Sequence, residues 1–252
     1  MKASSASYTM RFILYNIRYA TGRRTRWAWM HCLTPTVGHL PAIARFIQGY
    51  DPDVVGLVEV DVGSYRSGKC NQAELLATEL GHYHSCRMKY RGKGGLGVMR
   101  RLPVLGKQGN AFLTRDAIRK ETFHELTDGF KRLVIELDLA RVRLFLVHLA
   151  LGYRTRHQQL AELHELIGKS DKPCIVAGDF NSHTGARELR LFLKATGLVS
   201  ANSKHLPTYP SWKPRRELDF ICHSPQIQVK QFTVPQTTLS DHLPLVVDFE
   251  LP

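Results

Sequence analysis

The sequence carries a small number of polar residues whose type and spacing suit phosphoester chemistry. In Gly178-Asp179-Phe180-Asn181 an aspartate and an asparagine stand two residues apart, directly after the apolar run Pro173 to Ala177. Residues so spaced share one face of an extended chain, so two oxygen-bearing groups point into one space. Asp179 could take a proton from water while Asn181 donates to that water or to a phosphoryl oxygen, and Gly178 permits close backbone approach. Taken alone, the tetrapeptide reads more readily as a turn after a strand.

Ser240-Asp241-His242 alone would also be a surface turn. The reading changes because Asp219 lies among apolar neighbours in Leu218-Asp219-Phe220-Ile221, where an unpaired carboxylate is costly. His242 is the expected partner and Arg216 the alternative; a carboxylate on one ring nitrogen fixes the tautomer and raises the basicity of the other. Glu59 and Asn16 each end an apolar run, and a hard cation with oxygen ligands is a good reason to keep a carboxylate at such a place. His148, in Val147-His148-Leu149, would alone more often be a satisfied core histidine.

The elements that must position these residues follow from periodicity. Arg11 to Tyr15 and Val54 to Val58 are short β-prone runs that place Asn16 and Glu59 at strand ends. Leu40, Ile43, Ala44, Phe46 and Ile47 recur with helical spacing, and Asn71 to Leu80 is a second helix with Asn71 as cap and Gly81 as terminator. Ala111 to Leu113, Leu133 to Leu137, Val142 to Leu149 and Pro173 to Ala177 read as strands. Thr155 to Ile167 and Arg187 to Ala195 read as helices, and Glu217 to Cys222 and Leu245 to Leu251 as closing strands. Many strands, few helices and polar residues at strand ends predict two packed sheets with helices outside.

With 252 residues, 43% hydrophobic and 23% charged, the chain can bury one core without staples, so residues 10–252 are expected to be one domain and 1–9 a disordered extension. No apolar leader core and no membrane-length run stand in the sequence, which predicts a soluble cytoplasmic protein. The five cysteines are scattered, without CxxC spacing, and read as reduced thiols. The formal charge of +13 implies a phosphate-bearing partner, with basic clusters at Arg23, Arg24 and Arg26, from Arg87 to Arg101 (including Lys89, Arg91, Lys93 and Arg100), and at Arg154 and Arg156.

The ordered set Leu14-Tyr15-Asn16, Leu57-Val58-Glu59-Val60, Gly109 to Arg115, Val147-His148-Leu149, Gly178 to Asn181, Leu218 to Ile221 and Ser240-Asp241-His242 resembles the endonuclease/exonuclease/phosphatase superfamily. That superfamily includes deoxyribonuclease I, exonuclease III-type repair enzymes, neutral sphingomyelinases and inositol polyphosphate 5-phosphatases. Arg156 with Gln159, and Pro207-Thr208-Tyr209-Pro210, resemble its bacterial branch.

The resemblance implies a deoxyribonuclease I-like α/β (α+β) fold, a four-layered sandwich of two mixed sheets flanked by helices. It implies Mg²⁺, with Mn²⁺ as substitute, held by Asn16, Glu59 and Asp241. Asp179 would be the general base with Asn181 positioning the water. His242, oriented by Asp219, would contact the phosphate, and His148 would protonate the leaving oxygen from the pocket rim opposite. Arg18, Asn110 and Arg156 would bind substrate. Residue 18 is Arg where the repair-nuclease branch has a second acid, which favours one metal. The expected activity is direct hydrolysis of a phosphodiester, with DNA or RNA as substrate on the strength of the charge. The alternatives are an anionic phospholipid diester as in sphingomyelinases, a phosphatase, or a non-catalytic nucleic-acid-binding module.

Overall fold

The computed structural model describes residues 8–22, 38–89, 102–169, 172–183 and 186–252. The basic stretch from Arg23 to Trp29 and the cluster members Arg91, Lys93 and Arg100 lie outside the described residues, as do positions 1–7. Among the described residues, twelve strands form two six-stranded sheets. The first runs in the order β11 (Gln228–Thr233), β12 (Leu245–Glu250), β1 (Thr9–Asn16), β2 (Val54–Asp61), β4 (Gln108–Thr114) and β3 (Tyr83–Met88). The second runs β5 (Lys120–Glu125), β6 (Leu133–Asp138), β7 (Arg143–His148), β8 (Cys174–Asp179), β10 (Asp219–His223) and β9 (Val199–Ser200). Both sheets mix parallel and antiparallel pairs, β1 running parallel to β2 and β7 parallel to β8.

Strands such as Cys174–Asp179 are apolar on both faces because both are covered. Phe12, Phe112, Leu144, Ile175 and Val247 belong to the core between the sheets. On the outside of the first sheet, Ile13, Tyr15, Leu57 and Leu113 meet helices α1 (Leu40–Gln48) and α2 (Gln72–Leu80). On the outside of the second, Phe145, Val176 and Phe220 meet α3 (Tyr153–Ile167) and α4 (Ala186–Thr196) through Leu160, Leu163 and Phe192. The result is two packed sheets with helices outside, as the periodicity predicted, in the four layers that the resemblance implied. Helix α2 is capped as anticipated: the Asn71 side chain accepts from the Ala73 N–H at 3.2 Å, and Gly81 ends the helix at φ 67°.

Most strand ends differ by a residue or more from the sequence expectation, and two of these differences bear on the site. β1 begins at Thr9, paired with Glu250, so Thr9 belongs to the sheet and not to an extension. β2 continues to Asp61, and Glu59 sits inside it at a bulge, where the register to β4 shifts between Val58 and Val60. Glu59 there has φ 59°, a left-handed conformation unusual outside glycine. The bulge turns a residue that regular pleating would have buried in a sheet face.

Gly178 is fixed by close approach of the parallel strand. Its φ is 152°, and a Cβ added there would lie 1.9 Å from the Val147 carbonyl oxygen. Gly178→Ala must therefore push β7 and β8 apart, and is expected to cost on the order of 2–4 kcal/mol. Thermal unfolding should show a Tm lowered by roughly 5–15 °C; an unchanged Tm would mean that the strands do not pack at this spacing.

Candidate active site

Register brings the polar residues together at one end of the sandwich. In the second sheet Asp179, the last residue of β8, is paired with His148 at the end of β7 and with Asp219 at the start of β10. In the first, Asn16 pairs with Val58 and Val58 with Asn110, so Asn16, Glu59 and Asn110 form a row across three strands. The chain reverses after Asn16 through three successive positive-φ residues, Arg18, Tyr19 and Ala20. The segment that carries Asp241 and His242 is tied to both sides: Ser240 Oγ donates to the Asn16 carbonyl at 2.7 Å, and Ser211 N–H donates to the Asp241 carbonyl at 2.7 Å.

Asp179 is the centre. Asn16 Nδ2 donates to its Oδ2 at 3.1 Å, the Asn181 N–H donates to its Oδ1 at 2.9 Å, and the Nε2 atoms of His148 and His242 lie 3.4 Å and 4.0 Å from Oδ2. Burial raises the Asp179 carboxyl to about 6, His242 opposing and Asp219 reinforcing the shift. Asn181 differs from expectation in detail. Its side chain donates to the Leu149 carbonyl at 2.9 Å, so its backbone, not its amide, faces Asp179.

His242 and Asp219 are paired as expected, Nδ1 to Oδ2 at 2.8 Å, and Thr208 Oγ1 donates to the same Oδ2 at 2.6 Å. Burial alone would lower the His242 pKa, but Asp219, through charge and hydrogen bond, with Asp179 and Asp241, outweighs it and holds the imidazole up at about 10. His148 is different. It is only 2% exposed and forms part of the floor, not the rim. Lys89 Nζ lies 3.0 Å from its Nδ1, and Lys131 Nζ contacts its Nε2. Burial, Lys131, Lys89 and His242 together push it well below 6.5, so the ring is neutral. The rim position is thereby corrected, and the charge state is the wrong one for an acid that gives up a ring proton.

Glu59, Asn16 and Asp241 lie toward the same end of the sandwich. Glu59 is near enough to Asp241 to raise its pKa, and Asn16 Oδ1 accepts from the Arg18 N–H at 3.1 Å. Burial would raise Glu59 too, but Lys89, Lys131, His242 and Arg18 outweigh it and hold that carboxyl below the usual range. Arg18 Nε is 3.2 Å from Asp241 Oδ2, yet burial still lifts the Asp241 carboxyl above its ordinary value. The protein's own cations thus leave that carboxylate incompletely compensated. A hard cation with oxygen ligands and no sulfur fits this donor set. Asp179, Asp219 and His242 also lie within 4.8 Å of one another, but the Asp219–His242 hydrogen bond already explains their closeness.

Asn110 is buried with its Oδ1 accepting from the Glu59 N–H at 3.3 Å, while Nδ2 has no partner among the described residues. A buried donor left open at such a place suits a substrate oxygen. Arg156 cannot have the substrate-binding role expected of it. It is 1% exposed, with Nε donating to Glu188 at 2.5 Å and Nη1 to the Ala150 and Leu151 carbonyls. Its charge is spent on holding the loop that follows His148. Gln159 completes that work: it accepts from the Ala150 N–H and donates to the carbonyls of Asp128 and Lys131, both at 2.7 Å. Lys131, which sequence reasoning missed, is a single lysine in an irregular loop and reaches His148 only because Gln159 holds that loop.

A model of the Endonuclease/Exonuclease/phosphatase family matches residues 15–242, a span that begins just before Asn16 and ends on His242. The chain belongs to that family. Over 133 residues it is 32% identical to the UPF0294 protein VV2535 of Vibrio vulnificus, which covers 51% of this chain and 43% of that protein; the chain thus spans less than half the length of the curated relative. An endonuclease/exonuclease/phosphatase from Beutenbergia cavernae superposes with a TM-score of 0.72 at 21% identity, over 96% of this chain and 72% of that one. The mannosyl-6-phosphatase Bt3783 of Bacteroides thetaiotaomicron does so with a TM-score of 0.69 at 18% identity, over 95% and 99%. Both likenesses concern the fold.

The electrostatics give a direct test. His242 is held at about 10 against an ordinary 6.5, so the stability it contributes is full below pH 6.5 and is lost as pH rises through 10. Asp219→Asn removes the main support for the charged ring. In chelator-treated protein the imidazole Cε1–H shift, followed by NMR, should titrate well below the parent value; an unaltered titration would show that Asp219 does not set the charge of His242.

Proposed function

We propose that this enzyme is a Mg²⁺-dependent phosphodiesterase that hydrolyses DNA or RNA by direct attack of water. The observation that carries the reading is the position of Asp179, a buried carboxylate raised to about 6 and flanked by one neutral and one charged imidazole. A base with that pKa is poised to take a proton from water near neutral pH. Charged His242 can donate Nε2–H to a phosphoryl oxygen as negative charge builds, with Asp219 and Thr208 keeping Nδ1 engaged. Open Asn110 Nδ2 supplies a second donor, and Arg18 is placed beside Asp241 to meet another oxygen. Asn16, Glu59 and Asp241 would hold the metal, which when bound neutralises phosphate charge.

Neutral His148 does not supply the leaving-group proton in this reading. Held between Lys89 and Lys131, it packs its Nε2 edge against Asp179 and keeps solvent from that side of the carboxylate. Nucleic acid as partner is supported by the charge of +13. A cytoplasmic setting is supported by the free thiols Cys70, Cys86, Cys174 and Cys222, and no helix among the described residues is long and apolar enough to cross a membrane. The likeness to a mannosyl-6-phosphatase keeps a phosphomonoester as the competing substrate.

A panel of plasmid DNA, single-stranded RNA, sphingomyelin, a sugar phosphate and bis(4-nitrophenyl) phosphate decides among substrates; cleavage of the sugar phosphate alone would refute the diesterase reading. EDTA should abolish turnover and Mg²⁺ restore it. Asp179→Asn should lower kcat by about 10²–10⁴-fold. His148→Ala should slow a nitrophenyl diester and a nucleic-acid diester by similar factors; a loss confined to the poorer leaving group would show that His148 is the acid after all.

A further inference from the structure

Beside the site lies an open cavity of about 780 Å³ whose walls are strongly basic. Arg187 and Arg190 line it from α4, one helical turn apart on one face. Arg215 and Arg216 line it from the segment before β10. All four are exposed, and none has an ion-pair partner among the described residues. Among the described residues, the one carboxylate in the wall, Glu217, is buried and already engaged by Asn202 Nδ2 at 2.8 Å and His205 Nδ1 at 3.2 Å. A solvated basic face would spread its charges outward. Here two separate elements aim guanidinium groups at one concave space.

The walls of the cavity are linked to the site residues along the chain and through Tyr209. His183, in its wall, follows Asn181 by two residues. Pro207, also in the wall, precedes Thr208, which donates to Asp219. Arg216 acts electrostatically on Tyr209, whose ring packs on His242 with centroids 4.9 Å apart. A volume near 780 Å³ is far more than one phosphate fills, and it lies within the range that encloses whole small molecules. Leu193 adds an apolar surface to the arginines.

We infer that this cavity is a subsite for a nucleotide flanking the scissile phosphate of a polynucleotide strand, its phosphate on the arginines and its sugar and base against Leu193 and Pro207. Guanidinium groups suit phosphate bidentately and stack on bases, which accounts for the choice of arginine at the four basic positions described in the wall. The inference rests on the proposed diesterase reading and adds to it that the substrate is a strand.

The test uses the full chain with paired changes at exposed positions, Arg187→Ala with Arg190→Ala, and Arg215→Ala with Arg216→Ala, plus the same pairs to Lys. A fluorescent single-stranded oligonucleotide is titrated in chelator, where nothing turns over, across a salt series. Each alanine pair should weaken binding about tenfold or more and lower the salt slope by up to about 0.7, the contribution of the one phosphate held there. The lysine pairs should recover most of the slope. With Mg²⁺, the ratio of kcat/KM on the oligonucleotide to that on bis(4-nitrophenyl) phosphate should fall with the alanine pairs. Parent-like affinity and slope in both alanine pairs would overturn the subsite, as would weakened binding of a sugar phosphate with no change for the strand. Absence of Mg²⁺-dependent cleavage of either diester by the parent would instead overturn the diesterase reading, and is told apart because the binding data are taken without turnover.

Discussion

The molecule depends on burying a carboxylate, Asp179, at the open end of a sandwich and giving it enough polar neighbours to be tolerated. An isolated ionised group in such a place is prohibitively costly, so the surroundings must pair it or protonate it. The structure does some of each. Sheet register supplies His148 on one side and Asp219 on the other, the first sheet supplies the Asn16 amide, and the chain itself supplies the Asn181 N–H. Compensation stops short of full ionisation at low pH, and the carboxyl stays at about 6. The same incompleteness that costs folding free energy leaves a base with affinity for a proton at neutral pH.

The two histidines show how position within one sheet end separates otherwise identical side chains. His242 meets Asp219 at hydrogen-bond distance and two further carboxylates, and is charged. His148 meets two lysine ammonium groups, and is neutral. Neither state belongs to histidine as such; each follows from which strand or loop faces it. Helix α3 acts on this balance from outside the site, because Arg156 and Gln159 spend their polar groups on the backbone of the loops after β7 and before β6. Both residues stood out in the sequence for a reason that proves to be support rather than recognition.

Much of the fold was legible because apolar runs with strand or helix period are long in the interior of such a sandwich, as at Cys174–Asp179 and Tyr153–Ile167. Edge strands were not: β5, Lys120–Glu125, and β11, Gln228–Thr233, are polar on one face and carry little periodic signal. In the site, carboxylates embedded in apolar runs announced themselves, since Asp219 and Glu59 have no solvation reason to be there. Lys131 and the Thr208 hydroxyl gave no such sign, because lysine and threonine in loops are ordinary and only long-range packing brings them to His148 and Asp219. The left-handed conformation of Glu59 was equally invisible, since nothing in Val58-Glu59-Val60 asks for a bulge.

That conformation has a physical reading of its own. A positive φ at a non-glycine residue costs on the order of 1–3 kcal/mol and persists only when its surroundings over-determine it. Around Glu59 they do. The Asn110 side chain accepts the Glu59 N–H, and two residues on, Asp61 accepts from Ser64, Arg66 and Ser67 in a network buried from solvent. Gln72 then accepts the Asp61 N–H at 2.9 Å and donates to the Tyr19 carbonyl at 2.8 Å. The strained carboxylate of β2 and the left-handed turn that carries Arg18 are thus locked to each other through one glutamine. A regular strand would have sent Glu59 to a packed face, and an unconstrained loop would have let it swing away from Asp241. The bulge, braced from both sides, keeps the carboxylate at the sheet end, where Glu59 Oε1 lies 3.8 Å from His148 Nε2.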